Sequence, residues 1–301
     1  MELPLFPHFT PLRLEHRETV HPRLWAYQPT TSELTFTNLF LWQGHYGLSW
    51  SFLEDWLLLL AQPPQGEPWL LPPVGPPDRG ELCVRLLTWL AQTSGVATPR
   101  IERADRRLAG EAAAIPALRV EPCRDDFDYI YRSSDLINLA GNKYHGKRNH
   151  LNSLRRAVAW EYAPLHAELV AACLRLAERW CEFRRCEEDL NLMGEWEAIR
   201  LGLQHCHELH LQGGAILVRG EVEAFSLGEL LNTQTAVIHF EKANPEEGAF
   251  YTLINQQFCQ HAWQQVEFIN REQDLGEPGL RRAKLSYHPL HLEEKFRITL
   301  A

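Results

Sequence analysis

The sequence predicts an α/β protein (α+β, with mixed sheets) made of two domains. In the second half of the chain, a helical block is followed by three strands, a helix and another strand. The first half shows a shorter version of the same order. Between the halves, Pro116, Pro122 and mixed charges interrupt the hydrophobic periodicity. We therefore expect one domain over residues 1–122 and a second over residues 123–301.

The first half contains the signals of two helices and three strands. Polar turn residues separate its apolar runs, and the leucines and tryptophans of its longer segments recur at helical spacing. The predicted elements are a helix over Glu33–Tyr46 with Ser32 as N-cap, a hairpin over Leu48–Leu60 that turns at Glu54 and Asp55, a short strand at Trp69–Leu71 and a helix over Glu81–Thr93.

The second half is longer, and its helices precede most of its strands. Gly213 and Gly214 end the helical block, and a mixed sheet with one helix crossing after its central strand is the simplest packing of the rest. The predicted elements are a strand and turn over Phe127–Leu139, helices over Lys143–Ala159, Leu165–Arg184 and Leu192–Leu211, strands at Ala215–Arg219, Val222–Leu231 and Thr235–Lys242, a helix over Phe250–Trp263, a strand at Val266–Asn270, a helix over Pro278–Leu285 and a strand at Leu292–Thr299.

Composition and charge indicate a soluble, cytoplasmic protein. The seven cysteines include no Cys-x-x-Cys motif, which argues against a disulfide framework or a zinc ribbon and fits a reducing cytosol. The N-terminus lacks the pattern of a signal peptide, and no apolar run is long enough to span a bilayer, so we expect no stable membrane insertion. Because the formal net charge is −9, any contact with RNA must use a local basic surface.

Such a basic surface is predicted within Leu136–Trp160, which contains five Lys or Arg residues and no Asp or Glu. On a helix, Leu151, Leu154 and Val158 fall on one apolar face and the arginines fall on another. Arg and Lys bind phosphates by charge and by forked hydrogen bonds. A solvated helix face that pairs with acids elsewhere is the alternative. The residues assigned to phosphate or RNA binding are Lys143, Tyr144, Lys147, Arg148 and Arg155.

A second concentration of polar residues follows the predicted strand Val266–Asn270. Glu272 and Asp274 lie in the loop after this strand and could orient an ammonium group or act as a base. The helix that begins at Pro278 carries cations that could hold a phosphate or a carboxylate. A charged loop closed by its own ion pairs is the alternative. We predict Glu272, Asp274 and Lys284 as catalytic residues, and Asn270, Arg281, Arg282 and Tyr287 as substrate-binding residues.

Histidines suggest two further sites. His239 and Glu241 alternate on the predicted strand Thr235–Lys242 and face one side of it, so they join the substrate-binding set if this strand is central. A position at the edge of the core is the alternative. His205, Cys206, His207 and His210 cluster on a predicted helix, but a solvated helix face is favoured there and no metal site is predicted.

The C-terminal part of the sequence resembles a known family. The run Gly279-Leu280-Arg281-Arg282-Ala283-Lys284, followed by Tyr287-His288-Pro289, looks like the end of the C-terminal catalytic domain of phosphatidylglycerol lysyltransferases, where a glycine-leucine-basic-basic-x-lysine run precedes an aromatic-x-proline. The segment Glu241–Phe258 is similar in layout, and Leu136–Arg156 resembles soluble bacterial members of the same domain family. The resemblance covers Phe127 to the C-terminus by motif and the first half by architecture.

The resemblance implies two tandem GNAT-like acyltransferase domains. It also implies transfer of an aminoacyl group from aminoacyl-tRNA to an acceptor, which is a lipid in the named enzymes. The sequence shows no transmembrane stretch, which weakens the case for a lipid acceptor. The loop Ala243–Gly248 carries Glu246 and Glu247 where ordinary GNAT enzymes cradle the pyrophosphate of acetyl-CoA with a glycine-rich basic loop, which disfavours an acyl-CoA donor.

The function predicted from the sequence is transfer of an aminoacyl group from aminoacyl-tRNA to an amine or hydroxyl acceptor. Acyl-CoA-dependent N-acetyl transfer and a non-catalytic ligand-binding module that kept the fold are the alternatives. We expect no permanently bound cofactor, because the donor, aminoacyl-tRNA or acyl-CoA, is itself a substrate. The expected partners are tRNA and a small-molecule, peptide or lipid-headgroup acceptor.

Overall fold

The computed structural model describes residues 3–301, which form two units. The first unit contains the chain as far as Asp128, together with Gln273–Pro278 and Leu292–Ala301. The second contains Tyr129–Glu272 and Gly279–His291. Each unit has a seven-stranded sheet with helices, and this confirms the predicted fold class of α/β units with mixed sheets.

The regular elements of residues 3–301 are as follows. The strands are β1 (Thr10–Pro11), β2 (Leu48–Leu53), β3 (Trp56–Ala61), β4 (Trp69–Leu70), β5 (Arg100–Ala104), β6 (Leu118–Pro122), β7 (Asp128–Arg132), β8 (Glu161–Pro164), β9 (Gln212–Val218), β10 (Glu221–Leu230), β11 (Thr235–Ala243), β12 (Phe268–Asn270), β13 (His291–Glu293) and β14 (Phe296–Leu300). The α-helices are α1 (Arg17–Tyr27), α2 (Phe36–Leu41), α3 (Gln43–Tyr46), α4 (Gly80–Ser94), α5 (Arg106–Ala113), α6 (Ser133–Asn138), α7 (His145–Ala157), α8 (Ala167–Arg184), α9 (Leu190–Gln204), α10 (Ala249–Ala262) and α11 (Pro278–Leu285).

The two sheets have the same pattern of strands. The first has the order β1-β2-β3-β4-β5-β14-β6, and the second has the order β8-β9-β10-β11-β12-β7-β13. In each sheet, four antiparallel strands lead to a parallel pair, β4 with β5 or β11 with β12. A helix connects the two parallel strands, α4 in the first unit and α10 in the second, as a parallel crossover requires.

The sixth position of the first sheet is filled by a strand from the other end of the chain, whereas the second sheet is completed by strands of its own half. β14 lies between β5 and β6 in the first sheet, and β7 lies next to β12 in the second. The observed units differ from the predicted division into residues 1–122 and 123–301, because residues 123–128, Gln273–Pro278 and Leu292–Ala301 belong to the first unit. A short alternating strand reveals which of its faces is buried, but not which sheet it joins.

The core of the first unit packs α4 against the sheet. The buried faces of α4 and α5 present Leu82, Leu86, Leu90 and Leu108, which belong to one apolar cluster with Ile101 of β5. Full burial of such a side chain stabilises the fold by about 1.5–3 kcal/mol. The predicted helix over Glu81–Thr93 and its inward-facing leucines are confirmed.

The predicted helix over Glu33–Tyr46 is wrong in its start and its continuity. The chain forms two short helices there, and the N-cap is Thr35, whose hydroxyl accepts a hydrogen bond from the Asn38 N–H at 3.0 Å. Ser32 is kept out of the helix because its N–H and its hydroxyl both donate to the buried carboxylate of Asp128. Tertiary pairing of a buried charge thus overrides a local capping signal.

The structure joins Cys181, near the end of α8, to Cys186 in a disulfide that the cysteine pattern did not indicate. That pattern argues against a disulfide framework and fits a reducing cytosol, so this bridge lies outside the prediction. The remaining cysteines, at positions 83, 123, 173, 206 and 259, are free. Across residues 3–301, no helix combines the length and the apolar character needed to cross a membrane.

Candidate functional site

The candidate site lies in the second unit, where β11 and β12 stop pairing. Their parallel register runs from Thr235 opposite Phe268 to Val237 opposite Asn270. Beyond Val237, β11 continues to Ala243 without pairing to β12. The chain after Asn270 stays hydrogen-bonded to β7 instead, with the Arg271 N–H 3.0 Å from the Tyr129 carbonyl. The two backbones therefore diverge, and side chains bridge the gap between them. Such strand ends are common positions for sites in α/β sheets.

His239 bridges two carboxylates in this gap. Its Nδ1 lies 2.9 Å from Glu272 Oε1, and its Nε2 lies 2.9 Å from Glu229 Oε1. Burial lowers the pKa of His239, but the hydrogen bonds to Glu229 and Glu272 outweigh burial and raise the pKa to about 9. We therefore expect an imidazolium at neutral pH that donates from both nitrogens.

Glu272 is held in a left-handed backbone conformation, with φ at 54°. This conformation costs a non-glycine residue about 1–2 kcal/mol. The Glu272 N–H donates to Asn270 Oδ1 at 2.7 Å, and Lys284 Nζ donates to the carbonyls of Arg271 and Glu272. Strain of this kind persists where the surroundings fix the residue, as at many functional sites. Asn270 and Lys284 therefore position Glu272.

Glu241 and Arg271 form a second bridge across the gap. Glu241 Oε1 accepts from Arg271 Nη2 at 2.8 Å, and Glu241 Oε2 accepts from Asn255 Nδ2 at 3.0 Å. The Arg271 guanidinium lies over the ring of Tyr287, 4.6 Å from the ring centroid, and 5.7 Å from that of Tyr131. Burial opposes the charge of Arg271, but Glu241 and the two tyrosines outweigh it and raise the pKa of the guanidinium.

Lys147 of α7 approaches the same tyrosine. Its Nζ lies 3.3 Å from the ring centroid of Tyr287 and donates to Ser286 Oγ at 2.9 Å. Burial, followed by repulsion from Arg271, lowers the pKa of Lys147 to about 8. The ring of Tyr287 thus contacts a cation from each of two elements that are far apart in the sequence.

The loop between β11 and α10 carries two exposed carboxylates, Glu246 and Glu247. Glu247 Oε1 lies 3.4 Å from the Ala249 N–H, in the first turn of α10. A helix N-terminus favours anions, so carboxylates at this position compete with a phosphate for the same N–H groups. The geometry therefore disfavours a pyrophosphate at the start of α10.

Most residues predicted at the C-terminal loop lie together, but they have different roles. His239 and Glu272 are in contact, and Asn270 and Lys284 fix the backbone of Glu272. Glu241 pairs with Arg271, whose guanidinium lies over the ring of Tyr287. Asp274 lies in the first unit instead, where its buried carboxylate contacts Arg124 at 3.3 Å and accepts the Gly276 N–H at 2.9 Å. On α11, Arg281 is half-buried and Arg282 is exposed.

The predicted phosphate- or RNA-binding residues divide into two groups. Tyr144 is buried and donates to the Tyr287 carbonyl at 2.8 Å, and Arg148 donates to the carbonyls of Leu139 and Gly141, so both side chains are used by the fold. Lys143 is exposed and pairs with Asp135 at 3.1 Å. Arg155 is exposed on α7. Lys147 is half-buried against Tyr287, so of the five only Lys143 and Arg155 keep the exposure that contact with RNA requires.

Three residues of the site were missed from the sequence: Glu229, Arg271 and Asn255. Glu229 lies two positions from His239 across the β10–β11 pairing, because it is opposite Val237. Only the register of these strands reveals that contact. Arg271 directly follows the apolar strand, which is a local signal of the kind used to select Glu272. Asn255 gives no such signal, because a single amide on a helix is common.

Sequence comparison identifies a family. The family model described as phosphatidylglycerol lysyltransferase, C-terminal, matches residues 26–299. No curated protein matches the sequence.

Solved structures share the fold. A conserved protein of unknown function from Bacteroides thetaiotaomicron is 30% identical, with 97% of this chain and 99% of that chain covered and a TM-score of 0.89. The C-terminal domain of a putative lysylphosphatidylglycerol synthetase from Agrobacterium fabrum is 12% identical, with 95% and 92% covered and a TM-score of 0.67. A GNAT-family acetyltransferase from Colwellia psychrerythraea is 12% identical, with 97% and 98% covered and a TM-score of 0.50. The last two show the fold alone. The chain, with its two GNAT-like units, belongs to the phosphatidylglycerol lysyltransferase C-terminal family.

Proposed function

We propose that this chain transfers an aminoacyl group from aminoacyl-tRNA to an amine or hydroxyl acceptor, and that the reaction takes place between the diverging ends of β11 and β12. The bridge that His239 makes between Glu229 and Glu272 carries this proposal. It places a positioned carboxylate where the sheet opens. Membership of the family supports acyl transfer as the reaction class.

In this reaction, Glu272 acts as the general base. The nucleophile of the acceptor attacks the ester carbonyl of the donor, and Glu272 takes the proton that the nucleophile loses. A new C–N or C–O bond forms, the ester bond to the ribose breaks, and the released ribose oxygen takes up a proton. The side chain of Glu272 is 16% exposed and that of His239 is 2% exposed, so the carboxylate is the more accessible end of the pair. A positioned base contributes about 10²–10⁴-fold to the rate.

His239 and Glu229 act as positioning residues for this base. The imidazolium donates to Glu272 and holds its carboxylate in one orientation, while Glu229 fixes the other ring nitrogen. A carboxylate oriented in this way needs little rearrangement when the nucleophile arrives. The strained backbone of Glu272, fixed by Asn270 and Lys284, serves the same purpose.

An aminoacyl donor is favoured over acyl-CoA for a specific reason. Acyl-CoA requires a cradle for its pyrophosphate, and here Glu246 and Glu247 stand at the start of α10. An aminoacyl ester needs no phosphate at that position.

A donor competition tests the proposed function. The protein is incubated with isotope-labelled aminoacyl-tRNA or with labelled acetyl-CoA, in the presence of amino acids, short peptides and vesicles that contain phosphatidylglycerol, and the products are identified by mass spectrometry. We expect a labelled aminoacyl product and no acetylated product. Acetyl transfer alone would establish the acyl-CoA alternative, and binding of aminoacyl-tRNA without any product would favour a non-catalytic module.

A further inference from the structure

Two buried polar atoms beside Glu241 carry a further inference. Within the described part of the chain, neither Arg271 Nη1 nor Asn255 Oδ1 has a hydrogen-bond partner, although both are buried. The other terminal atom of each group, Arg271 Nη2 or Asn255 Nδ2, donates to Glu241. A buried polar atom left unpaired costs about 1–3 kcal/mol, and such atoms are rare in folded proteins. A donor and an acceptor are thus left open on either side of one carboxylate.

The orientation of both groups is fixed by chemistry. An ionised carboxylate only accepts hydrogen bonds, so Asn255 must turn its NH₂ towards Glu241 and its carbonyl oxygen away from it. Asn255 is 2% exposed, which leaves the side chain little freedom to rotate. The guanidinium carbon of Arg271 lies 4.6 Å from the ring centroid of Tyr287, and its fork gives Nη2 to Glu241 and leaves Nη1 without a partner.

We propose that Arg271 Nη1 and Asn255 Oδ1 form a subsite for the α-aminoacyl group of the donor. The acyl carbonyl oxygen accepts from Arg271 Nη1, and the α-ammonium group donates to Asn255 Oδ1. These two ligand atoms are carried on adjacent carbons, so they match one donor and one acceptor that flank the same carboxylate. The subsite rests on the proposed function. It identifies the protein atoms that recognise the α-ammonium and the acyl carbonyl, which all aminoacyl groups share.

The position of the subsite agrees with its role. Arg271 pairs with Glu241, and Glu272 pairs with His239. These two partners are two positions apart on one face of β11, so a carbonyl held by Arg271 would lie on the same side of the strand as the general base. Asn255 and Glu241 come from α10 and β11, the elements on the opposite side of the gap. The donor would thus be gripped from both sides of the opening, which is how a binding site restricts a substrate to one orientation.

Small amides test the subsite in the intact protein. Alaninamide carries both the ammonium and the carbonyl, propionamide lacks the ammonium, and isopropylamine lacks the carbonyl. Isothermal titration calorimetry measures the Kd of each. Hydrogen bonds to charged groups are worth about 1.5–3 kcal/mol, so we expect alaninamide to bind at least about tenfold more tightly than either of the other two.

Two variants assign the two contacts. Arg271→Lys keeps a cation for Glu241 but removes the second nitrogen, so we expect affinity for both alaninamide and propionamide to fall about tenfold. Asn255→Leu removes the acceptor, so affinity for alaninamide falls about tenfold and affinity for propionamide does not change. Arg132→Lys is the matched control, because Arg132 pairs with Glu267 at an exposed position of the same unit, and it should change neither value.

Equal affinities of wild-type protein for the three compounds would overturn the subsite and mean that water alone pairs with these atoms. This comparison needs no variant, so it decides the matter even if Asn255→Leu does not fold. The amide-binding result and the transfer result can also be told apart. Amide binding with the expected preference can occur in a protein that transfers nothing, and transfer by a protein without that preference would remove the subsite alone.

Discussion

The two units share one strand pattern but end their parallel pairs differently. In the first, β4 pairs with β5 through Leu70 and Ile101, and the chain continues as Leu71, Pro72 and Pro73, none of which can titrate. In the second, β11 runs on past its last paired residue and presents His239 and Glu241. The topology therefore determines where a sheet opens. The residues beyond the last paired position determine whether titratable side chains line the opening.

A second comparison concerns buried charge. In the first unit, Lys295 Nζ lies 2.7 Å from both Glu33 Oε1 and Asp128 Oδ1, and the lysine is fully buried. In the second, His239 bridges Glu229 and Glu272, of which Glu272 is partly exposed. Both arrangements place a cation between two carboxylates. The first is sealed and precedes β14, so we assign it to stability, whereas the second is accessible at one end and we assign it to function.

The largest expected effect is on stability, at the buried cluster of Lys295, Glu33 and Asp128. Lys295→Met leaves Glu33 and Asp128 buried without their cation, and breaking a buried pair in this way costs about 3–5 kcal/mol. Urea denaturation measures the loss. Arg297→Met is the matched control, because its pairing with Glu102 is partly exposed and should be worth about 1 kcal/mol or less. A Lys295→Met protein as stable as this control would contradict the structural role of the cluster.

The cluster of His239, Glu229 and Glu272 should instead make the free energy of unfolding depend on pH. The folded-state pKa of His239 is about 9, above the ordinary value of 6.5, so its contribution is fully present below pH 6.5 and is lost as the pH rises through 9. The difference corresponds to roughly 3 kcal/mol. Wild-type protein should therefore lose more stability between pH 6.5 and 9.5 than His239→Gln, as followed by urea denaturation. Equal losses in the two proteins would show that the imidazole is not stabilised as a cation.

Lys284 should act on Glu272 through the backbone. Lys284 is 9% exposed and donates to two carbonyls, so Lys284→Met should cost about 1–3 kcal/mol. Because Glu272 loses its support, kcat for transfer should fall while KM changes little, and Lys284→Arg should recover part of kcat. A rise in KM at unchanged kcat would mean that Lys284 binds substrate directly and does not act on Glu272.

The smallest expected effect is on the surface of α7. Arg155→Ala removes an exposed cation, so binding of tRNA should weaken slightly and the slope of log affinity against log salt should fall by about one. Arg200→Ala is the control, because Arg200 is already paired with Glu197 on α9. Identical slopes for the wild type and Arg155→Ala would remove this arginine from the RNA contact.

The sequence predicts the elements better than their pairing. The helix over Pro278–Leu285 and the hairpin after Gly47 follow from proline, glycine and hydrophobic spacing, and the structure confirms both. The insertion of β14 into the first sheet has no local signal, because β14 is a short strand with an ordinary burial pattern. Strand order depends on contacts between distant residues, which periodicity does not encode.

The site follows the same rule. Glu272 and His239 were selected from local context, as a carboxylate after an apolar strand and a histidine on a central one, and the structure places them 2.9 Å apart. Glu229 required the β10–β11 register. Asp274 shared the local context of Glu272 but lies with Arg124 in the first unit, because the chain changes units between residues 272 and 273. Glu272 and Asp274 are only two positions apart in the sequence, yet they belong to different units.

The most direct measurement is the single-turnover rate of aminoacyl transfer by Glu272→Gln. Glutamine can still accept the hydrogen bond from His239 but cannot take a proton at neutral pH, so the rate should fall about 10²–10⁴-fold while the melting temperature changes little. Glu267→Gln, at an exposed carboxylate paired with Arg132, should transfer at the wild-type rate. A Glu272→Gln protein that transfers within about threefold of the wild type would show that the gap between β11 and β12 does not supply the base.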